Sequence, residues 1–326
     1  MELQEIAKAL RKEQRVIITT HISPDPDAIG SSCGLAHVLN ALGIETTVYL
    51  ADPLPERLQP LVVGIEPVGD ASQITATPPA VLVVVDAASR LRVGKEAPQL
   101  YEWAKCVYNI DHHVSNDSWA AVNYIDADAP ACAAIIWKLS QHLEVPLTPV
   151  VANLLYAGLL DDTGGFSFSN TSVFGFECAA ELLKAGATPP HVANILYCSV
   201  PERVLKLEAL ALARVQLLLD GRVAYIPVTK EMMREAGAQA EDSEGLVEIG
   251  RRIKGTLAAV LQRELDDGWK LSFRSKIADL DVNKIAGTLG GGGHAAAAGC
   301  KAVGSFAEVQ ETVIKLFEIA LASQAG

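Results

Sequence analysis

Four short apolar runs in the first third of the chain are separated by segments with helical patterns, and this alternation restricts the fold more than any other feature. The runs are RVIITT at 15–20, TTVYL at 46–50, VLVVV at 81–85 and CVYNI at 106–110, with a helix predicted over 28–42. Strands of a parallel sheet are buried on both faces and are therefore apolar throughout, whereas half-exposed antiparallel strands alternate. The chain is therefore predicted to begin with an α/β domain, a doubly wound, mainly parallel sheet with helices on both faces.

The rest of the chain divides into a helical stretch and a second α/β region. From about 130 to 219 the pattern is helical and ends in PERVLKLEALALARVQLLL, which begins at a proline suited to a first helical turn. After Asp220-Gly221 come the strand RVAYIPV and two further β runs around a second Asp-Gly turn. A length of 326 residues suits about two domains. We predict an N-terminal domain over 1–190, a helical linker over 191–219 and a smaller α/β domain over 220–326.

Charge and cysteine content exclude several classes of protein. There are 39 acidic and 27 basic residues, a net charge of −12, so the surface as a whole repels phosphates and no long duplex nucleic acid is expected as a partner. The six cysteines include no Cys-x-x-Cys pair, which is typical of a reduced chain without structural zinc. The N-terminal segment is amphipathic and no later apolar run reaches about 18 residues, so we expect a cytoplasmic protein without a membrane partner.

Acidic and histidine side chains follow three of the predicted strands. They are His21, Asp25 and Asp27 after the first run, Asp86 after VLVVV, and Asp111, His112 and His113 after CVYNI. Since the carboxyl ends of parallel strands line the ligand crevice of an open sheet, we expect these side chains to converge. Taken alone, each aspartate is better explained by capping, with Asp27 at the start of a helix beginning at Ala28 and Asp25 in the preceding turn.

Capping does not explain these acids taken together. If Asp25, Asp27, Asp86 and Asp162 share one crevice, each pair ~4 Å apart costs about 4 kcal/mol at an effective dielectric constant of about 20. Arg90 and Arg92 follow Asp86, but no basic residue lies inside the motifs themselves. The compensating charge is therefore predicted to be two divalent cations. Oxygen ligands mixed with imidazole suit Mn²⁺, with Mg²⁺ as the harder alternative.

The C-terminal region contains a second candidate site, in FRSK at 273–276 and GGGGHAAAAG at 290–299. The glycines alone are equally explained as a hinge, and the alanines as a helix packed on the sheet. In the functional interpretation the backbone N–H groups of 290–293 bind a phosphate, and the helix predicted after them adds a helix-terminal anion site. Arg274 offers a bidentate fork for a second phosphate. The candidate substrate-binding residues are Arg274, Ser275, Gly291, Gly292, Gly293 and His294.

In order and spacing, these motifs resemble those of the DHH phosphoesterases. HISPDPDAIGS, VVVDA, the DHH at 111–113 and DDTGGF at 161–166 are similar to the four motifs of that family, and the C-terminal pair is similar to its associated domain. The resemblance covers nearly the whole chain and implies that residues 1–190 are catalytic and residues 220–326 bind substrate. The length is most similar to the small two-domain members, which degrade very short RNA and dephosphorylate 3′-phosphoadenosine 5′-phosphate.

The resemblance also implies roles for the residues at the strand ends. The implied ligands of one cation are His21, Asp25 and Asp86, and those of the second are Asp27, Asp86, His112 and Asp162. Asp111 would orient its histidine neighbours. His113 would face the substrate phosphate or the leaving oxygen, and we interpret it as the group that stabilises or protonates the leaving group.

The expected activity is hydrolysis of short RNA oligonucleotides to mononucleotides and of 3′-phosphoadenosine 5′-phosphate to AMP. The expected partners are these oligonucleotides and nucleotide bisphosphates, with a homodimer left open. A gap of one or two nucleotides between Arg274 and the cations would select short substrates. One alternative is a phosphodiesterase for cyclic or linear dinucleotides, and a non-enzymatic alternative is a nucleotide-sensing module. An inorganic pyrophosphatase is less favoured because the tail lacks the basic cluster of that branch.

Three features depart from the pattern of the resemblance. Gly165 stands where many relatives have a polar residue, and PACAA at 130–134 replaces a small-polar-acid pattern, so both leave the substrate preference open. Asp161 is an alternative ligand to Asp162, which we favour because Asp-Thr-Gly fits the motif. The remaining histidines are interpreted as structural or exposed; they are His37, His142 and His191.

Overall fold

The computed structural model describes residues 1–322, which form two compact units that meet in sequence between Ser199 and Val200. Each unit contains one β-sheet with helices packed on it. Within the described residues, no helix is long and apolar enough to cross a bilayer.

The sheet of the first unit has five parallel strands in the order β2-β1-β3-β4-β5. The strands are β1 Arg15–Thr19, β2 Glu45–Tyr49, β3 Val81–Val85, β4 Cys106–Asp111 and β5 Val122–Ile125. The predicted parallel sheet is confirmed, and the ends of the four predicted strands agree to within one residue. Strand β5 was not predicted, because its four residues are only partly buried and give a weak apolar signal.

Helices pack on both faces of this sheet. They are α1 Leu3–Leu10, α2 Pro26–Asn40, α3 Ala71–Thr75, α4 Ala97–Trp103, α5 Cys132–His142, α6 Pro149–Asp162, α7 Val173–Lys184 and α8 Pro189–Tyr197, with 3₁₀ turns at Glu56–Leu61 and Arg90–Val93. Strand β3 shows why helices must cover both faces of the sheet. Val83 packs in one apolar cluster and Leu82 and Val84 in another, and every residue of the strand is buried.

Helices α2 and α6 approach each other closely because glycines lie between them. A Cβ added at Gly158 of α6 would lie 2.5 Å from Asp27 Oδ1 and 2.9 Å from the Cβ of Ala133. A Cβ added at Gly34 of α2 would lie 2.9 Å from the side chain of Leu155. This close approach brings the C-terminal end of α6 to the edge of the sheet where β1, β3 and β4 end.

The second unit has a six-stranded sheet in the order β10-β11-β9-β8-β7-β6. Its elements are α9 Glu202–Leu212, β6 Gln216–Leu218, β7 Val223–Val228, α10 Lys230–Ala236, a 3₁₀ turn at Glu241–Leu246, α11 Val247–Arg252, β8 Ala258–Glu264, β9 Trp269–Ser275, α12 Val282–Thr288, β10 Gly292–Gly293, β11 Ala297–Ala302 and α13 Phe306–Ala322. Only β7 and β8 pair in parallel, and the other neighbours are antiparallel. The smaller C-terminal α/β fold is confirmed.

Two predicted helical segments are strands instead. The helix predicted to continue to 219 ends at Leu212, because residues 216–218 pair with β7 across a turn in which Leu219, Asp220 and Gly221 all have positive φ. A uniformly helical linker over 191–219 is therefore wrong at its C-terminal end. The alanine run after the glycines is the strand β11, paired with β9, so the interpretation as a helix is also wrong. In both segments strand pairing outweighs the helical propensity of Leu and Ala.

Candidate metal centre

Four separate segments place their functional side chains at one edge of the first sheet. His21 follows β1, Asp25 and Asp27 lie at the start of α2, and Asp86 follows β3 directly. Asp111 ends β4, the two histidines come next, and Asp162 is the last residue of α6. Asp86 has a positive φ of 54°, which is uncommon for a residue other than glycine, and its N–H donates to the carbonyl of Ile110 at 3.0 Å. The expected convergence of these segments is observed.

The side chains form two groups that meet at Asp86. His21 Nε2 lies 3.3 Å from Asp25 Oδ2 and 3.5 Å from Asp86 Oδ2. His112 Nε2 lies 3.1 Å from Asp162 Oδ2 and 3.4 Å from Asp86 Oδ1. Asp27 Oδ2 is 3.9 Å from the same His112 nitrogen. The two oxygens of Asp86 thus face different histidines, which is the arrangement a shared ligand requires.

Burial and neighbouring charges shift the pKa values within the cluster, and the direction of the shift differs between residues. Burial alone would lower the pKa of His21, but the Asp25 carboxylate outweighs it and raises that pKa well above its ordinary value. Burial acts to raise the pKa of Asp86, yet His112 and His21 hold that pKa well below its ordinary value. At Asp27, burial and the charge of Asp86 both raise the pKa of the carboxyl. The raised histidine pKa values and the lowered Asp86 pKa have one cause, which is the pairing of imidazoles with carboxylates in the cluster.

The donor set fits divalent cations. His21, Asp25 and Asp86 form one group, and Asp27, His112 and Asp162 form another, each with its candidate ligand atoms within 4.8 Å of one another. These donors are carboxylate oxygens and imidazole nitrogens, without a thiolate, which suits a hard or intermediate cation better than a soft one. Asp161, the alternative to Asp162, belongs to neither group. Its charge, after burial, helps to raise the pKa of the Tyr197 hydroxyl to about 12.

The capping roles of the first motif differ from the prediction. Helix α2 begins at Pro26, and its N-cap is Asp25, whose Oδ1 accepts from the N–H of Ala28 at 2.9 Å. Asp27 lies inside the first turn, so its predicted capping of a helix beginning at Ala28 is wrong. Aspartate followed by proline is the usual order of N-cap and first helical residue, and this signal was present in the sequence.

Asp27 instead holds the start of another helix. Its Oδ2 accepts from the N–H of Cys132 at 2.7 Å, and its Oδ1 accepts from the N–H of Ala133 at 2.9 Å. The N-cap position of α5 is Ala131, which has no side chain able to cap. The PACAA segment therefore obtains its cap from Asp27, and this contact fixes the carboxylate beside His112.

A hydrogen-bonded chain holds His113, and two of its members, Asn109 and Asn116, were missed by sequence reasoning. His113 Nδ1 lies 2.7 Å from Asp111 Oδ1. The side-chain amide of Asn116 donates to Asp111 Oδ2 at 2.6 Å and to Asn109 Oδ1 at 2.7 Å. Asn109 in turn donates to the carbonyl of Val84 at 3.2 Å. The only signal for Asn116 was its position five residues after Asp111.

The candidate substrate-binding residues of the second unit are only partly brought together. Arg274 Nε donates to Glu248 Oε1 at 2.8 Å, on the partly exposed face of β9. Ser275 is buried on the opposite face, where its Oγ donates to the carbonyl of Ile277 at 2.8 Å. The prediction that Arg274 and Ser275 bind substrate together is therefore wrong, because successive strand residues point to opposite faces.

The glycine run forms a hairpin. Gly292 and Gly293 make up β10 and pair with β11, and His294 N–H donates to the carbonyl of Ala297 at 2.7 Å in the connecting turn. Gly291 packs on Gly299, where an added Cβ would clash with the backbone. The predicted helix-terminal anion site does not form, because a strand follows the glycines.

Comparison with known proteins gives matches over most of the chain. The model of the DHH family, N-terminal domain, matches residues 15–159, and that of the DHHA1 domain matches residues 220–322. The bifunctional oligoribonuclease and PAP phosphatase NrnA of Thermus thermophilus is 35% identical over 296 residues, covering 90% of this chain and 86% of that protein. The protein of the same name from Bacillus subtilis is 29% identical over 300 residues, covering 90% and 91%.

Two solved structures are similar in fold. An exopolyphosphatase-related protein from Bacteroides fragilis has a TM-score of 0.86 and 25% identity, covering 98% of this chain and 95% of that one. RecJ from Thermus thermophilus, solved in complex with Mn²⁺, has a TM-score of 0.56 and 16% identity, covering 98% and 55%. The two-unit arrangement of sheets and helices described above therefore has precedent in solved structures.

Proposed function

The chain belongs to the DHH family, and on that premise we propose that it is a metal-dependent phosphoesterase of short substrates. It hydrolyses RNA oligonucleotides of a few residues to mononucleotides, and 3′-phosphoadenosine 5′-phosphate to AMP. The observation that supports this best is the convergence of His21, Asp86, His112 and their carboxylate neighbours from four segments into one buried cluster. Relatives that align over about nine-tenths of the chain are named for both activities.

Two divalent cations fit the cluster, with Mn²⁺ proposed ahead of Mg²⁺ because imidazole nitrogens are among the donors. The proposed ligands are His21, Asp25 and Asp86 for one cation, and Asp27, Asp86, His112 and Asp162 for the other. Such a pair supplies a deprotonated water at neutral pH and neutralises charge on the phosphoryl oxygens. Asp86 would belong to both ligand sets, because its Oδ2 faces His21 and its Oδ1 faces His112. Asp27 is oriented by hydrogen bonds from the N–H groups at the start of α5.

His113 is proposed as the catalytic residue that donates a proton to the leaving oxygen. Its Nδ1 is held by Asp111, so the imidazole is fixed in one orientation and its Nε2 is directed away from that carboxylate. Burial acts to lower the pKa of His113, but Asp111 outweighs it and raises the pKa above its ordinary value. A raised pKa favours the protonated imidazole, which is the form that a general acid needs.

Substrate binding is proposed for the second unit, with residues 1–190 catalytic, 191–219 as the connection and 220–326 as the substrate-binding domain. Arg274, Gly291, Gly292, Gly293 and His294 remain the proposed contacts, whereas Ser275 supports the backbone turn at Ile277. Arg274 is held by Glu248, so a substrate phosphate must compete with that carboxylate or share the guanidinium with it. All six cysteines are free thiols, which supports the proposal of a reducing, cytoplasmic environment. A homodimer remains part of the proposal.

Initial rates across substrates of increasing length test this function. The metal-depleted protein is supplied with Mn²⁺ or Mg²⁺ and given RNAs from the dinucleotide up to about 20 nucleotides, with 3′-phosphoadenosine 5′-phosphate in parallel. We expect hydrolysis only with added metal, highest rates on the shortest RNAs, and AMP from the bisphosphate. Rates that rise steeply with length would contradict the proposal, since the net charge of −12 offers little general attraction for a long strand.

A further inference from the structure

Phenylalanine is concentrated directly after one proposed metal ligand. Four of the seven phenylalanines of the chain lie within residues 166–176, a few positions beyond Asp162. Two of these rings have evident packing roles, since Phe174 contacts Trp137 and Phe168 lies over Gly164, where an added Cβ would clash with it. Phe166 packs against the core of the first unit, with its ring 6.4 Å from that of Tyr156, so Phe176 is the ring that core packing leaves unexplained.

Phe166 has an unusual backbone conformation. Its φ is 62°, and the two preceding glycines have φ of 56° and 66°, so three successive residues are left-handed. For a bulky residue this conformation is a genuine outlier, and strain of this kind concentrates at functional sites. Hydrogen bonds hold it in place, since the Phe166 N–H donates to Thr163 Oγ1 at 3.1 Å and the Gly165 N–H donates to the carbonyl of Leu160 at 2.7 Å.

The turn presents an aromatic pair at the surface. The rings of Phe166 and Phe176 are stacked, with centroids 5.1 Å apart and an interplanar angle of 20°. Phe176 is 56% exposed although it is a large apolar side chain on a well-formed helix. Gly165, which precedes Phe166, is also open to its surroundings, because an added Cβ there would meet nothing within 4 Å. Core packing therefore does not explain why the Phe176 ring is exposed.

From this geometry we infer that the stacked pair Phe166–Phe176 is a binding platform for a nucleobase of the substrate, an inference that rests on the proposed function. The turn begins at Asp162, which lies 3.1 Å from His112, so the platform adjoins the proposed metal centre in the same unit. Asp161 and Asp162 directly precede the turn in sequence, and their negative charge disfavours a bare phosphate there, whereas a neutral flat base meets no such repulsion. Stacking on an aromatic face is available to every base, so the platform gives affinity without sequence preference.

Phe176 is the residue to vary, because its exposure lets it be changed without opening the core. Phe176→Leu keeps an apolar side chain but removes the flat face, and Phe176→Tyr restores the face. Val173→Ala on the same helix, at a residue 75% exposed, is the matched control for loss of exposed apolar surface. Steady-state kinetics use Mn²⁺ with a dinucleotide RNA, and with two matching dinucleotides that lack the base at one end or the other.

We expect Phe176→Leu to raise KM for the intact dinucleotide roughly fivefold or more while kcat changes little. Phe176→Tyr and Val173→Ala should keep the wild-type KM. On one of the two base-lacking dinucleotides, wild type and Phe176→Leu should have the same KM, which identifies the stacked base.

Two results overturn the inference by itself: an unchanged KM for Phe176→Leu with an active wild type, or an equal rise in KM on both base-lacking dinucleotides. If the wild type hydrolyses none of the dinucleotides, the proposed function fails and this inference with it, so the two failures are distinguishable.

Discussion

Asp162 and Asp161 are adjacent acids with different surroundings, and they allow the metal centre to be tested at the level of one residue. Asp162 Oδ2 lies 3.1 Å from His112 Nε2, whereas Asp161 acts on Tyr197. Loss of a residue that only orients a ligand typically lowers metal affinity by ~10- to 100-fold, so loss of a direct ligand should lower it by roughly 100-fold or more. We expect Asp162→Asn to lower Mn²⁺ affinity by that factor in calorimetric titration and Asp161→Asn to leave it nearly unchanged. Equal losses in both variants would contradict the assignment of Asp162.

Substitution of His113 tests catalysis separately from metal binding. It is held by Asp111 and lies outside the two proposed ligand sets, so its loss removes a proton donor and leaves the cations in place. We expect His113→Ala to lower kcat by ~10²- to 10⁴-fold on a dinucleotide RNA, with an unchanged metal content by atomic emission. Substrates with a good leaving group need less protonation and should be affected less. Parallel loss of bound metal would show that His113 is a ligand instead.

At the scale of elements, the site depends on how closely α6 approaches α2. Gly158→Ala places a methyl group 2.5 Å from Asp27 Oδ1 and 2.9 Å from the Cβ of Ala133, so α6 must shift outward. We expect a loss of about 1–3 kcal/mol in the free energy of unfolding and a weaker second metal site, measured by urea denaturation and Mn²⁺ titration.

The control for this variant is another glycine within a helix. Gly287→Ala in α12 introduces a methyl group that meets nothing within 4 Å. It should be neutral or slightly stabilising, because alanine favours a helix more than glycine does. A Gly158→Ala protein as stable as Gly287→Ala would contradict the role of close helix packing in placing Asp162.

The sequence predicted those elements whose signal is local. The strands β1 to β4 were predicted because apolar runs such as VLVVV are buried on both faces, and the candidate ligands were predicted because they follow those strands directly. Strand β11 and the end of α9 were mistaken because their conformation depends on pairing with β9 and β7, distant in sequence. Asn116 and Gly158 were missed for the same reason, since each acts through a contact across space, with Asp111 and Asp27 respectively.

At the scale of the whole molecule, each unit has its own hydrophobic core. The two apolar clusters on the faces of the first sheet contain residues from Leu3 to Leu196, and the two on the second sheet contain residues from Leu207 to Leu321. The proposed metal ligands all belong to the first unit, and Arg274 with the glycine hairpin to the second. We therefore expect folding and metal binding to be separable from the part of substrate binding that is proposed for the second unit.

A fragment of residues 1–199 should consequently fold alone and bind metal. We expect a cooperative thermal transition by circular dichroism and a Mn²⁺ stoichiometry equal to that of the full chain, because the four ligand-bearing segments and both covering layers of helix are present. Its KM for a dinucleotide RNA should be at least about tenfold higher, since the proposed contact between the Arg274 guanidinium and a substrate phosphate is lost.

A fragment of residues 1–160 is the matched control, because it lacks Asp162 and helices α7 and α8, which contribute Leu182 and Leu196 to the core. If the 1–199 fragment keeps the wild-type KM, then the second unit does not bind the substrate and the assignment of Arg274 and the glycine hairpin fails.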